Sequence, residues 1–423
     1  MKRTFALTVA TGLSASGLMA AQVAKYKRRT RQRFAIERGP RPGTDEFSQL
    51  VTAMTGTARS DGNRVQVMRN GATLEAMVEV IGSAQQTVNC SSYIYWPGET
   101  SERFTAAFIE RARAGVEVNL LLDGYGSAKL DRDHRARLQD GGVNVYIFRP
   151  VRWNSRSKIN NRLHRRILVV DSNIAFSGGV GIADVWTGNA EDPDHWRETH
   201  LCIEGPAVLD LFSAFTDTWT EATSRILVGP HLATSDGCHD GIALQVTKST
   251  PNAGATAASE VFYAAIAGAQ ERIWLTTAYF APDRTFETVI CEAAKRGVDV
   301  RILVNGVKVD KEIARKAGQR SYGLLLAAGV RIFEYEPTML HAKVLLVDKN
   351  WANVGSSNLD SRSLDLDLEI NVAVMDTVIV DELSDHFLED LKTSREFDLE
   401  EWRRRPFRQR AQEFATEIVR QSL

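Results

Sequence analysis

Apolar residues fall along this chain in two textures. In one they recur at helical spacing: Phe104, Ala107 and Phe108, with Arg111 at the edge, share one helix face. In the other they run unbroken, as in NLLLD, ILVVD and VLLVD. Unbroken runs suit strands buried on both faces of an α/β sheet, whereas a sheet with one wet face alternates. The stretch IERARAGVEVNLLLDG, ending at Gly124, joins the two textures. It reads as an amphipathic helix closed at Gly115, where a C-cap glycine belongs, and followed by a strand. The pattern predicts an α/β protein.

The same pattern then repeats. CEAAKRGVDVRILVNG ends at Gly306, with Gly297 in the place of Gly115. Upstream, SAQQTVNCSSYIYW parallels GAQERIWLTTAYFA as a helix end and a strand. Downstream, LQDGGVNVYIF parallels LLAAGVRIFEY as helix, turn and strand. A further pair, LHRRILVVDSNIAFSGG from Leu163 and LHAKVLLVDKNWANVGSS from Leu340, completes the repeat. Internal repetition of this kind means two copies of one unit. The expected architecture is two α/β lobes, residues 60–228 and 241–395, related by a pseudo-twofold with a site at their interface. The boundary falls in the turn-rich segment Gly229–Gly241. The first copy carries about ten extra residues before its His, in the basic loop RPVRWNSRSKINNR. Surface loop and substrate or membrane contact are both open readings of it.

Charge is unevenly placed. The chain has 423 residues and a net charge of −1, but residues 1–41 hold ten Lys/Arg against one acid. The body is therefore acidic, unlike a general nucleic-acid binder. The uncharged stretch Thr4–Ala24 is long enough to span a bilayer, and KYKRRTRQR follows it. A single membrane anchor is the expectation, with the body of the chain on the cytoplasmic side by the positive-inside rule. A cleaved signal is the alternative. The tail 396–423 is read as basic and amphipathic: five Arg lie between Arg403 and Arg410, with Trp402, Phe407, Phe414, Ile418 and Val419 interleaved. Such a segment suits an anionic membrane surface or a helix packed on the body. The four cysteines show no Cys/His ligand spacing, so neither a zinc site nor a disulfide framework is expected, and no motif points to a cofactor.

The repeated phrase carries the chemistry. His164 and His341 occupy the same position in the two copies, and a pseudo-twofold brings them into one cleft. One imidazole can attack and the other protonate a leaving oxygen. Two residues on, and on the same strand face, stand Arg166 and Lys343. Two cations beside two histidines describe a phosphoryl site, since they match the charge that builds on the oxygens. Ser356 and Asn358 are candidate hydrogen-bond donors to those oxygens, with Gly179 in the matching small-residue cluster of the first copy. Glu198 and Glu369, downstream of His164 and His341 respectively, are candidates to fix the imidazole tautomers. Asp171 and Asp348 close the motif strands and are read as loop anchors.

The duplicated pattern H-x-K-x4-D-x6-G-[GS] resembles the phospholipase D superfamily. EGPAVLDLFSAFTDTW, TTAYFAPD and GSSNLDSRSLDLDLEINV resemble its bacterial cardiolipin synthase branch. The resemblance covers roughly residues 60–395. It implies a phosphatidyltransferase that joins two phosphatidylglycerols into cardiolipin and glycerol through a phosphohistidine. His164 would be the nucleophile, His341 the general acid, and Glu198 and Glu369 the orienting carboxylates. A phospholipid, phosphatidylglycerol foremost, is the expected substrate, without a nucleic-acid partner. Hydrolytic phospholipase D, a phosphodiesterase acting on nucleic acid, and a decayed binding protein are the alternatives. Two departures stand out: Arg166 replaces Lys, and Gly181 replaces the Asn that matches Asn358.

Overall fold

The computed structural model describes residues 34–36, 39–151, 161–234, 237–251 and 256–406. The expected anchor Thr4–Ala24, residues 152–160 of the basic loop and the tail beyond 406 lie outside the described residues. Among the described residues no helix is long and apolar enough to cross a membrane.

Helix α1 (Asp45–Thr55) comes first, its N-cap Thr44 accepting the Phe47 N–H. The first lobe follows as β1 (Ser60–Arg69), α2 (Ala72–Ser83), β2 (Thr87–Ser92), α3 (Glu99–Arg113), β3 (Glu117–Asp123), α4 (Arg132–Asp140), β4 (Asn144–Phe148), β5 (Ile167–Val170), β6 (Ile174–Gly178), β7 (Thr199–Glu204) and α5 (Ala207–Thr223). The second lobe opens with β8 (Ile242–Ser249), α6 (Ala257–Gly268), β9 (Arg272–Thr276), β10 (Phe280–Ala281), α7 (Arg284–Lys295), β11 (Asp299–Asn305), α8 (Glu312–Ala327) and β12 (Arg331–Tyr335). It ends with β13 (Val344–Val347), β14 (Trp351–Gly355), β15 (Leu359–Asp360), α9 (Ser361–Asp365), β16 (Glu369–Met375), α10 (Thr377–Lys392), β17 (Ser394–Glu396) and α11 (Leu399–Arg403).

Fifteen strands form one sheet, with β1 and β8 antiparallel near its centre. Outward from that seam the order is β1-β7-β6-β5-β2-β3-β4 on one side and β8-β16-β14-β13-β9-β11-β12-β17 on the other. Apart from β17 the two series correspond strand for strand, so the seam marks the pseudo-twofold. β2, β3 and β4 are parallel, as are β9, β11 and β12, with helical crossovers between them. Their unbroken apolar runs are buried on both sides: every residue of β3 after Glu117 is buried. Gly115 and Gly297 end their helices at φ +94° and +93°. No atom lies within 4 Å of the place a Cβ would take at either. Glycine is needed there for backbone conformation, not for space.

Two boundaries differ from expectation. α1 precedes the first lobe but packs on the second, with Phe47 edge-on to Trp351 (5.7 Å) and Gln245 Nε2 donating to the Ser48 carbonyl (3.1 Å). The expected tail is also part of the second lobe as far as residue 406. β17 extends the sheet edge beside β12, and Trp402 is buried between Tyr322 and Phe397. Burial of its indole removes Trp402 from any membrane-facing stripe.

Candidate active site

Each His is placed by the lobe opposite its own. Backbone pairing runs between Leu163 and Leu368, with the His164 N–H donating to the Leu368 carbonyl (2.9 Å). The equivalent pairing joins Arg197 to Leu340, with the His341 N–H donating to the Arg197 carbonyl (2.8 Å). These short ladders bring the residue after Leu368 to His164 and the residue after Arg197 to His341. His164 Nδ1 lies 2.9 and 3.1 Å from the two Glu369 oxygens, and His341 Nδ1 bonds Glu198. The carboxylates therefore pair crosswise, not with the upstream His of their own lobe. A third contact repeats across the pseudo-twofold. Asp123 Oδ2 accepts the Leu163 N–H (2.9 Å) and Asn305 Oδ1 accepts the Leu340 N–H (2.7 Å), each pinning the residue before a His.

The cations close the arrangement. Arg166 Nη2 is 3.2 Å from His164 Nε2, and Lys343 Nζ is 3.1 Å from His341 Nε2. Arg165 points the other way and is fully buried. It donates to the Ala214, Ser249 and Glu369 carbonyls, tying α5 and β8 to the strand that carries Glu369.

Tyr93 stands edge-on to His164 (4.9 Å), while Trp186 and Trp196 pack on His341 (5.4 and 5.5 Å). Both histidines and Arg166 line a cleft of about 370 Å³, shared with Trp96, Tyr279, Asn358 and Arg362. His164 keeps 12 % of its side chain exposed and His341 5 %. Burial, with Arg166 and Lys343 adding to it, holds His164 well below its ordinary range. Burial followed by Lys343 and Arg166 does the same to His341. Both are neutral near pH 7. With Nδ1–H held by a carboxylate, each Nε2 presents a lone pair to the cleft. Burial lowers Lys343 to about 7, against the pull of Glu198, and raises Glu369 to about 7, against its serine donors. Glu198 is raised by burial, with Lys343 opposing.

The small-residue clusters do different work from the phosphate binding expected of them. Ser356 donates its hydroxyl to Glu369, and Ser363 donates to the other oxygen of the same carboxylate. Ser356 is therefore committed to positioning Glu369. Gly179, its counterpart, makes room for Glu198: a Cβ there would sit 2.5 Å from the Glu198 carboxyl carbon. Asn358 does line the cleft, its carbonyl accepting the Tyr279 N–H (3.2 Å), which leaves its NH2 as the donor end. At Gly181 a Cβ would meet the Trp186 ring at 2.8 Å and Ile94 at 3.1 Å. The indole that packs on His341 has taken the room an Asn would need. Asp171 accepts the backbone N–H groups of Gln85, Gln86 and Thr87, each at 2.8 Å. Asp348 accepts those of Gln270, Glu271 and Arg272 in the matching turn. Both stand away from the cleft chemistry.

Sequence reasoning missed Ser363, Asp123, Asn305 and the two tryptophans. Asp123 and Asn305 had a signal, since both end the repeated strand phrase before a Gly. The tryptophans had none, because they occur in one copy only.

Comparison with known proteins gives the family. A family model described as "Cardiolipin synthase, PLD-like domain" matches residues 77–219 and 262–391. The cardiolipin synthase of Geobacillus sp. (strain WCH70) is 34% identical over 375 residues, covering 88% of this chain and 74% of that protein. Cardiolipin synthase A of Pseudomonas putida (strain GB-1) is 34% identical over 344 residues, covering 81% of this chain and 71% of that one. Among solved structures, phosphatidylserine synthase of Haemophilus influenzae Rd KW20 superposes with a TM-score of 0.64 at 15% identity, over 85% of this chain and 95% of that one. That likeness extends to the fold. Two duplicated lobes, two crossed His–Glu pairs and relatives at this identity along most of the chain agree: it belongs to the phospholipase D-like family of cardiolipin synthases.

Proposed function

We propose that the protein is a phosphatidyltransferase that converts two phosphatidylglycerols into cardiolipin and glycerol through a phosphohistidine. The observation that carries the reading is the crossed pair of His–Glu contacts, with both histidines and Arg166 lining one cleft and Lys343 beside His341. In the first step His164 Nε2 attacks the phosphorus, and the bond from phosphorus to the glycerol oxygen breaks. His341, which takes up a proton from solvent at Nε2 when the anionic substrate binds, passes that proton to the leaving oxygen, and glycerol departs. In the second step His341 takes a proton from the hydroxyl of a second phosphatidylglycerol. The resulting oxygen attacks phosphorus, and the bond to His164 breaks.

Electrostatics support the division of labour. His164 is neutral and the more exposed of the two, as a nucleophile needs. Burial first, and then Lys343 and Arg166, hold His341 unprotonated, and an anionic phosphodiester bound beside these cations offsets their share. The proton affinity of His341 then rises when a leaving group needs a proton. Arg166 and Lys343 face the oxygens on which charge accumulates. The membrane as workplace, the cytoplasmic side and an anchor within residues 1–41 belong to this proposal. The charge of residues 1–41 and the lipid nature of the substrate support them.

The test uses purified full-length protein, phosphatidylglycerol vesicles and chelator, with products read by lipid mass spectrometry and His164→Ala as the blank. Cardiolipin and glycerol, absent with the variant, are expected. Phosphatidic acid instead would mean that water is the acceptor, and no lipid product would overturn the reading.

A further inference from the structure

The cleft is bordered by two loops that occupy the same place in the two lobes. One follows β3 and the other follows β11. Residues 124–129 and 306–311 align at the offset that relates Gly124 to Gly306. Under that offset Tyr125 corresponds to Val307, and Lys129 to Lys311. Tyr125 is 63% exposed and Val307 73%, among the most exposed large apolar residues described. Both lysines line the cleft. Each stands over an aromatic ring of the cleft wall, Lys129 over Trp96 (3.6 Å) and Lys311 over Tyr279 (5.0 Å). Asp310, the acidic neighbour of Lys311, is turned to the Tyr279 hydroxyl (2.6 Å).

An exposed apolar side chain paired with a lysine on one lip is unremarkable. The same pair on both lips, at equivalent positions around one opening, is a surface with a purpose. We infer that these loops are the face by which the protein docks on an anionic phospholipid bilayer. Tyr125 and Val307 enter the headgroup layer, and Lys129 and Lys311 meet lipid phosphates. The inference rests on the reading that the substrate is a membrane phospholipid. Charge complementarity favours an anionic bilayer as occupant: the lysines stand where a lipid headgroup must pass to reach His164. A bilayer contacted through both lips presents its headgroups to the opening between them. The docking residues are then also the guides of the substrate.

The test is hydrogen–deuterium exchange on the full-length protein. Three samples are compared: vesicles of phosphatidylglycerol and phosphatidylcholine, vesicles of phosphatidylcholine alone, and monomeric short-chain phosphatidylglycerol. Peptides covering 124–131 and 306–311 are expected to be protected by the anionic vesicles beyond the protection given by the monomeric lipid. The start of α10, where Val378 is 72% exposed away from the cleft, is expected to be unchanged. Val307→Asp should remove the vesicle-specific protection. It should also lower the ratio of turnover on vesicles to turnover on monomeric lipid about tenfold, the size expected for exchanging one apolar anchor for a charge. Equal protection by monomer and vesicle, or protection confined to other surfaces, overturns the inference. Absence of any lipid product from the wild type would count against the proposed reaction instead, and the exchange experiment would still decide the docking.

Discussion

Replacing Glu369 by Gln separates what the carboxylate does for His164 from what it does for the fold. The side chain keeps its shape but loses its charge. An amide can offer its NH2 to His164 Nδ1, which places the ring proton on Nε2 and removes the lone pair that attacks phosphorus. Loss of the correct tautomer in such a pair costs about 10³–10⁴ in kcat. Stability should move the other way. Burial raises Glu369 from 4.5 to about 7, and a shift of that size corresponds to about 3 kcal/mol of charging cost at neutral pH. Gln escapes that cost, although Ser356 and Ser363 lose a charged acceptor. The sign follows from linkage. A carboxyl whose folded pKa is raised contributes stability that is complete below 4.5 and lost as pH rises through about 7. The variant should therefore gain on the wild type over that window and show no advantage below it. Single-turnover kinetics with phosphatidylglycerol, beside urea unfolding at pH 4.5 and 8, read both effects. A folded variant with kcat within tenfold of wild type would refute the assignment of Glu369 to His164.

Further expectations concern the rest of the site. His341→Ala should cripple turnover of phosphatidylglycerol but spare the first-turnover burst of p-nitrophenol from a p-nitrophenyl ester of phosphatidic acid. That leaving group needs no proton, and equal losses in the first-turnover rate on both substrates would argue against an acid role. The pH profile of kcat/KM should fall on the alkaline side as Lys343, lowered to about 7, loses its charge. Lys343→Arg should move that limb upward, and an unmoved limb would assign it to another group. Gly181→Asn should not restore a stronger phosphate site. With Trp186 2.8 Å from the new Cβ, it should cost about 1–3 kcal/mol of stability by urea unfolding.

Much of this was legible in the sequence, for identifiable reasons. The repeat could be read because both copies keep the same spacing of His, cation, apolar strand, Asp and small-residue cluster. Buried parallel strands could be read because burial on both faces erases alternation. The crossed pairing could not be read. Glu198 and Glu369 each lie downstream of a His in their own copy, and only the backbone pairing of Leu163 with Leu368 and Leu340 with Arg197 sends them across. Ser356 looked like a phosphate donor because a hydroxyl after a Gly fits that role equally well. Its commitment to Glu369 appears only when β14 and β16 are paired. Nor did β1 announce itself. SDGNRVQVMR is a polar strand at the seam, held by its pairing with β7 and β8 rather than by its own pattern.

The central claim is a covalent phosphatidyl group on His164 that His341 helps to pass on. Denaturing mass spectrometry of His341→Ala, quenched after reaction with the p-nitrophenyl ester, tests it most directly. The good leaving group lets the first step proceed, and without His341 the second has no base. The account predicts an added phosphatidyl mass on the peptide containing His164. An adduct elsewhere, or none from a variant that still releases p-nitrophenol, would contradict it.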